Sequence, residues 1–432
     1  MDNSEKRVLI LTHSGGGGHL QAAIAKHQEL LDDGYTHIIQ KDIFIDFLGK
    51  PIGASILGAW NVCQTHGHIT SLYFLSMCTR GIDFLVGIPF FFHLVINLYK
   101  YDINTIIDTQ HVGTKAFIRA IRLISKWKNK QIYYEKVLTD LPSPKCRHYF
   151  KPLLKLSKED KKIIHIATTE PDFTGSTEEG FWKKYTGLSL ANVVYKNFPL
   201  RRAFKHSYKD KKPLHLTFNT YTPEHTHLIC KCLSYGSMPF KRQRNSLSFT
   251  FTDETLSLIT LGSFPQKSVL IDYMLQYIAQ KSLYCKERKE IFFILVGPQK
   301  SSQSTYLSIL EELAKIEHYP KNLTILPLAF QDDKSLAPLY YHLDFIIAKS
   351  GGLTTMELLQ SVEKNIFIHD NPRPIFTNIL SVLTKSSFDT MPPWERGNAN
   401  FIIAKKNAKL ITPESFASVT ENFFSSALLS VR

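Results

Sequence analysis

Cysteine is scarce in this chain: six residues in 432, at 63, 78, 146, 230, 232 and 285. That spacing excludes a disulfide framework, and Cys230-Lys231-Cys232 lacks the second pair a zinc site needs. Acidic side chains are in deficit, 38 Asp and Glu against 52 Lys and Arg, for a net charge of +14. None of them cluster with metal-ligand spacing, so no metal is expected. The densest apolar stretch, Asp83–Leu98, is short for a bilayer span and is interrupted by Pro89 and His93. Internal repeats, zinc-finger patterns and RNA-binding signatures are missing too. The basic surplus therefore points to phosphates or an anionic membrane surface, not to nucleic acid. Met1–Arg7 lead straight into an apolar run and not into a cleavable signal, so a reducing, cytoplasmic setting is expected, with peripheral membrane attachment open.

What is present is strand–helix alternation, twice over. Val8-Leu9-Ile10-Leu11 is a continuous apolar run, the pattern of a strand buried on both faces. Glycines follow, then Leu20–Leu31 with helical spacing. Ile38–Ile45, Ile103–Asp108, Lys136–Asp140 and Lys162–Ala167 read as further strands. The pattern restarts at Leu256–Leu261, with Ile291–Val296, Leu323–Pro327 and Asp344–Ala348 as strands and Thr354–Leu359 as a helix. This predicts an α/β chain with two Rossmann-like domains, each built on a parallel sheet. The expected division is 1–200, 201–412 and a closing helical segment 413–432 (helical over Ser415–Leu429), with the halves joined near Asn197–Phe204. Lys205–Phe251 departs from the alternation and reads as a partly β insertion. Asp83–Leu98 has two readings: a buried, kinked helix, or a segment that dips into a membrane or lines a binding site.

Two strand-to-helix junctions carry the chemistry. In Thr12-His13-Ser14-Gly15-Gly16-Gly17-Gly18-His19, residues such as Gly17 and Gly18 let a ligand approach the backbone, and the helix N-terminus offers unpaired N–H groups and a positive dipole. His19 is close enough to neutrality at pH 7 to accept a proton, although a histidine there can equally just cap the helix. Ser350-Gly351-Gly352-Leu353-Thr354-Thr355-Met356-Glu357 repeats the plan and reads as a pyrophosphate cradle. Glu357, one turn in, is placed to reach a ribose diol, or only to complement the helix dipole. Leu256–Leu261 also ends in a short polar turn, Gly262-Ser263.

These stretches, with others in the same order, resemble a known family. Ser350–Glu357 looks like the donor-site motif of the GT-B glycosyltransferases that group monogalactosyldiacylglycerol synthases, processive diacylglycerol glucosyltransferases and the N-acetylglucosaminyltransferase of lipid II synthesis. Gly15–His19 is similar to their N-terminal glycine loop ending in His. Asp42, Trp60-Asn61 and Asp108-Thr109-Gln110-His111 fit the diacylglycerol branch. Thr139-Asp140 with His148 resembles a Thr-Asp-x-x-x-x-His pattern, at slightly different spacing. Phe198-Pro199-Leu200-Arg201 looks like the Gly-x-Pro-Val-Arg junction. Phe330-Gln331 resembles the segment whose backbone reads uracil, and Trp394-Glu395-Arg396-Gly397-Asn398 the Gln-Glu-x-x-Asn segment that touches the donor sugar. Trp394 departs from the usual Gln, and insertions over Lys205–Phe251 and Asp370–Pro392 are extra.

The resemblance implies a GT-B fold and inverting transfer from a UDP-sugar to an acceptor hydroxyl, with a lipid such as diacylglycerol as the favoured acceptor. It implies no cofactor beyond the donor. The Asp-x-Asp element of metal-dependent transferases is absent, which supports a metal-free reaction. His19 is then the base, with Asp140 orienting it or serving instead. Ser263, Arg201 and the Gly352–Thr355 helix start meet the charge of the departing UDP, in a cradle formed with Gly262, Ser350 and Gly351. The apolar part of Ile56–Leu98, including Trp60, Phe74, Phe84, Phe90, Phe91 and Phe92, is assigned to the acceptor or the membrane. A UDP-sugar epimerase, a protein-modifying glycosyltransferase and a non-catalytic docking protein of the same fold stay open as alternatives.

Overall fold

The continuous apolar runs become the central strands of two parallel sheets. In the computed structural model, which describes residues 5–15, 17–68, 71–72, 79–171, 177–196, 198–209, 213–284, 289–371 and 390–426, the first sheet contains β1 (Arg7–Thr12), β2 (His37–Asp42), β3 (Thr105–Asp108), β4 (Tyr133–Val137), β5 (Ile164–Thr168) and β6 (Val193–Tyr195). Its order is β2-β1-β3-β4-β5-β6. The second contains β10 (Thr255–Thr260), β11 (Glu290–Leu295), β12 (Leu323–Leu328), β13 (Phe345–Ala348), β14 (Asn365–His369) and β15 (Lys409–Ile411), in the order β12-β11-β10-β13-β14-β15. Every pairing in both sheets is parallel. In each sheet the strand order reverses beside the first strand. Ligands of such sheets bind beyond the carboxyl ends of the strands at that switch.

Several expected elements shift. The strand expected over Ile38–Ile45 stops at Asp42, whose carboxylate accepts the N–H groups of Phe44 and Ile45 and caps the helix Ile43–Leu48. The strand expected over Lys136–Asp140 runs instead over Tyr133–Val137, which frees Leu138–Asp140 to turn toward the other half. The Lys205–Phe251 segment forms a small antiparallel sheet of β7 (Leu214–Asn219), β8 (Lys241–Gln243) and β9 (Ser246–Phe251). It is part of the second core and not an appendage: β7 alternates buried and exposed residues, and Phe218 and Phe251 pack on Phe293 of β11. The closing helix, described over Phe416–Ser426, lays Phe416 and Phe424 against Tyr277 and Phe345. Most of the Asp370–Pro392 insertion, Phe74 and Asn197 lie outside the described residues.

Asp83–Leu98 belongs to a helix spanning Thr79–Lys100 with Pro89 inside it, and it buries one face and exposes the other. Val86, Phe90, Leu94 and Leu98, at helical spacing, are buried in the first core, whereas Phe84, Leu85, Ile88, Phe92, Ile96 and Tyr99 are exposed. Phe91 is half-buried.

Candidate active site

The carboxyl ends of β1 and β3 face those of β10 and β13 across one cleft. It encloses about 1820 Å³ of space, including its open mouth, and is lined from both halves. His13, Gly17, Gly18, His19, Phe44, Leu57, Trp60, His111 and Asp140 come from the first; Gly262, Ser263, Phe330, Gln331, Lys349, Gly351, Gly352, Leu353, Thr354, Glu357, Trp394 and Glu395 come from the second, with Arg201 from the connection. The helices that start at the two glycine loops, Gly18–Asp32 and Gly352–Ser361, touch one another, and neither receives a side-chain cap. Gly17 has φ +82°, and any side chain there would run into Ser263 of the opposite loop. Glycine is required at 17 on both counts.

His19 is held by three oxygens. Its Nδ1 lies 2.7 Å from the Thr109 carbonyl, 3.0 Å from Thr139 Oγ1 and 3.4 Å from the Tyr149 hydroxyl. A carbonyl only accepts, so Nδ1 carries the hydrogen and the lone pair is on Nε2. Burial lowers the His19 pKa from its ordinary value; the Thr109 carbonyl and the Asp140 charge oppose this without reversing it. At neutral pH the ring is an unprotonated base. The Thr109 carbonyl is itself fixed from behind. Lys136, fully buried, donates to Asp108 Oδ2 at 2.8 Å, the Gln110 carbonyl at 2.7 Å and Thr114 Oγ1 at 2.8 Å, which pins the loop after β3.

Asp140 does not hydrogen-bond His19. Its Oδ1 accepts from Asn398 Nδ2 at 3.0 Å, and Oδ2 lies 3.4 Å from His148 Nε2. Burial alone would raise its carboxyl, but the hydrogen bond and charge of His148, with Asn398, hold it below its ordinary pKa. Asp140 therefore influences His19 through its charge and not as a bonded orienter; Thr109 and Thr139 do the orienting. His13 and His111 are also kept well below the usual imidazole pKa, by burial first and by neighbouring histidines second. Ring nitrogens of His13, His19 and His111 come within 4.8 Å of one another, a metal-compatible grouping among the described residues. His13 Nδ1 accepts the Gly15 N–H at 3.1 Å, while His13 Nε2 and His111 Nδ1 are buried without a protein partner. The grouping stands as a set of neutral imidazoles.

Several expected roles are corrected on the donor side. Glu357, expected to reach a ribose, is buried at the cleft and clasped by Arg201 through Nε at 2.6 Å and Nη2 at 2.7 Å. Arg201 is correspondingly not a free cation for a leaving group. Lys349, which the sequence reading passed over although it directly precedes the glycines, lines the cleft and pairs with Glu395 at 3.0 Å. With both cations paired, the unopposed positive field is the uncapped start of Gly352–Ser361. Phe330 offers its ring, 41% exposed, and not its backbone, since its N–H donates to the Gly297 carbonyl at 2.9 Å and its carbonyl accepts from the Tyr221 hydroxyl. The Gln331 side chain is spent on Asn219 and Ala329. Ser350, Thr355 and Asn398 lie behind the cleft wall, fully buried. Ser350 donates to the Glu395 carbonyl at 2.9 Å, whereas Thr355 Oγ1 has no protein partner. Trp394 faces Trp60 across the cleft, with ring centroids 6.3 Å apart at 24°.

No protein-family model and no curated protein matches the chain. Solved structures resemble it in outline. They include MurG from Acinetobacter baumannii, at 13% identity over 98% of this chain and 92% of that one, with a TM-score of 0.48. The UDP-GlcNAc 2-epimerase of Methanocaldococcus jannaschii, in complex with UDP-GlcNAc and UDP, is 10% identical over 97% and 92%, with a TM-score of 0.42. The α,α-trehalose 6-phosphate synthase of Burkholderia multivorans is 11% identical over 99% and 98%, with a TM-score of 0.40. Likeness at this level transfers neither substrate nor mechanism. By its own topology the chain is an α/β protein of GT-B architecture, two Rossmann-like halves closing on one cleft.

Proposed function

We propose that the protein is an inverting, UDP-sugar-dependent glycosyltransferase. The observation that carries this reading is the pairing, within one cleft, of a neutral imidazole of fixed tautomer with an uncapped helix start on the opposite half. In the proposed reaction an acceptor oxygen forms a bond to the anomeric carbon as the bond from that carbon to the UDP oxygen breaks. The acceptor proton passes to His19 Nε2. The electron pair leaves with UDP, where the amides at Gly352–Thr354 and the Thr354 hydroxyl meet the new charge. This needs no metal, and Phe330 supplies a flat ring for the base.

The acceptor reading follows from the first half. Phe44, Ile56, Leu57, Trp60 and Val112 give that side of the cleft an apolar lining. The helix Thr79–Lys100 does not line it, so its exposed face is assigned to the membrane and not to the acceptor itself. The adjoining helix Thr114–Lys128 exposes Lys115, Arg119, Arg122 and Lys126 at one-turn spacing, together with Leu123 and Trp127. Apolar and basic groups on packed helices fit an anionic bilayer, each basic residue near it contributing ~1 kcal/mol. The apolar lining and this surface together support a lipid acceptor.

Two experiments test these statements. In thermal-shift measurements UDP should raise the melting temperature well above the effect of GDP; the reverse order sinks the uridine assignment. Phe84, 82% exposed, is a better membrane probe than half-buried Phe91. Phe84→Asp should leave the melting temperature unchanged and abolish co-sedimentation with phosphatidylglycerol vesicles, with phosphatidylcholine vesicles ignored throughout. Wild type that ignores both vesicles removes the membrane reading.

A further inference from the structure

We propose that Asn398 is a positioning residue that sets the base in one half against the donor cradle in the other, an inference resting on the reading of His19 and Gly351–Thr354 given above. The sequence reading placed Asn398 on the donor sugar. In the structure it has no exposed surface and spends its amide on three bonds. Nδ2 donates to Asp140 Oδ1 at 3.0 Å and to the Ser350 carbonyl at 2.9 Å, and Oδ1 accepts the Leu141 N–H at 2.9 Å. Two of these partners belong to the turn after β4, in the first half. The third opens the glycine loop of the second.

The turn held by Asn398 is the turn that orients the base. Thr139 places its hydroxyl on His19 Nδ1 while its carbonyl abuts Gly352, the first residue of the cradle helix. A Cβ at 352 would overlap that carbonyl oxygen and lie 2.8 Å from the Thr139 carbonyl carbon and 3.0 Å from Asp140 Cα. One turn along the neighbouring helix, a Cβ at 397 would collide with Ser143 Oγ. Gly352 thus lets the halves meet backbone to backbone, Gly397 leaves room for the Ser143 side chain, and the Asn398 amide locks the register of that meeting. The separation between His19 Nε2 and the helix start is therefore fixed by this seam and not by either sheet alone. Misplacement by ~1 Å in such a site can cost about 100-fold in rate.

The seam makes two kinds of variant informative. Asn398→Asp keeps the shape but replaces the donor NH₂ with an acceptor facing Asp140 and the Ser350 carbonyl. Gly352→Ala wedges the same seam without touching Asn398. UDP affinity, by calorimetry, should stay within about threefold of wild type in Asn398→Asp, because UDP is held by the second half, while kcat for transfer falls about 100-fold in both variants. Small-angle scattering, which needs no substrate, should show a more open particle for Gly352→Ala. Asn398→Ser, which retains a donor, should recover part of kcat. Unchanged kcat and unchanged scattering in both variants would overturn the proposal. Parallel loss of UDP affinity and kcat in Asn398→Asp would overturn it as well, by returning Asn398 to donor binding. Wild type that neither binds UDP nor transfers would strike the underlying enzymatic reading instead, and the scattering result would still judge the seam.

Discussion

The loop after β1 and the loop after β13 leave strands on opposite sides of the switch points of their sheets, each at a strand's carboxyl end and each opening a helix without a side-chain cap. Around the first, His13, His19 and His111 gather with Phe44, Leu57 and Trp60. Around the second no histidine lines the cleft among the described residues; instead both nearby cations are matched by carboxylates. One plan thus yields a basic nitrogen in an apolar wall and, opposite it, a neutralised polar wall whose remaining field comes from backbone amides. A helix start gives anion affinity wherever glycine allows approach; what differs is which side chains the facing loops supply, and that decides base or cradle.

The sharpest way to break the comparison is to remove the base. His19→Ala should slow transfer ~10²–10⁴-fold, while UDP affinity measured on the same preparation stays put. Turnover retained at more than a tenth of wild type would shift the base to Asp140. Next in size is Glu357→Ala. Because it strands a buried guanidinium, it should destabilise the fold by about 3–5 kcal/mol, read as a fall in denaturation midpoint with or without ligand. Weakened UDP binding with unaltered stability would instead return Glu357 to the ribose.

A smaller effect comes from acid. His13, His19, His111 and His369 all have folded-state pKa values below their ordinary one, His369 at about 4, with burial the first cause in each. Below about pH 6.5 the unfolded chain takes up protons that the folded one refuses. Their stabilising contribution is therefore full above that pH and drains as pH falls toward the folded values. The melting temperature should decline from pH 7 to pH 5. A flat profile there would mean that these rings are not buried neutral.

Local pattern made much of this molecule legible. Apolar runs such as Val8–Leu11 and Leu256–Leu261 announce strands buried on both faces, and glycines at their ends announce the two loops. The short strands β6, β14 and β15 do not stand out in the sequence, because three to five residues carry too little periodicity. The strand expected over Ile38–Ile45 runs three residues too far, although an acidic residue before Ile43-Phe44-Ile45 is also an N-cap signal. At the site, the lining positions of His19, Gly262, Ser263, Gly351, Leu353 and Thr354 could be placed from their junctions. Pairings across long sequence distances could not. Arg201 meets Glu357 from 156 residues away and Asn398 meets Asp140 from 258, and a motif shows that such residues matter without showing that they hold each other.

The division of labour between the two loops has one most direct test, calorimetric titration of UDP into wild type, His19→Ala and Thr354→Val. Wild type and His19→Ala should bind with the same affinity within about threefold, and Thr354→Val about tenfold more weakly, the cost of one hydrogen bond to a charged group. Equal weakening by His19→Ala and Thr354→Val, or full affinity in Thr354→Val, would contradict it.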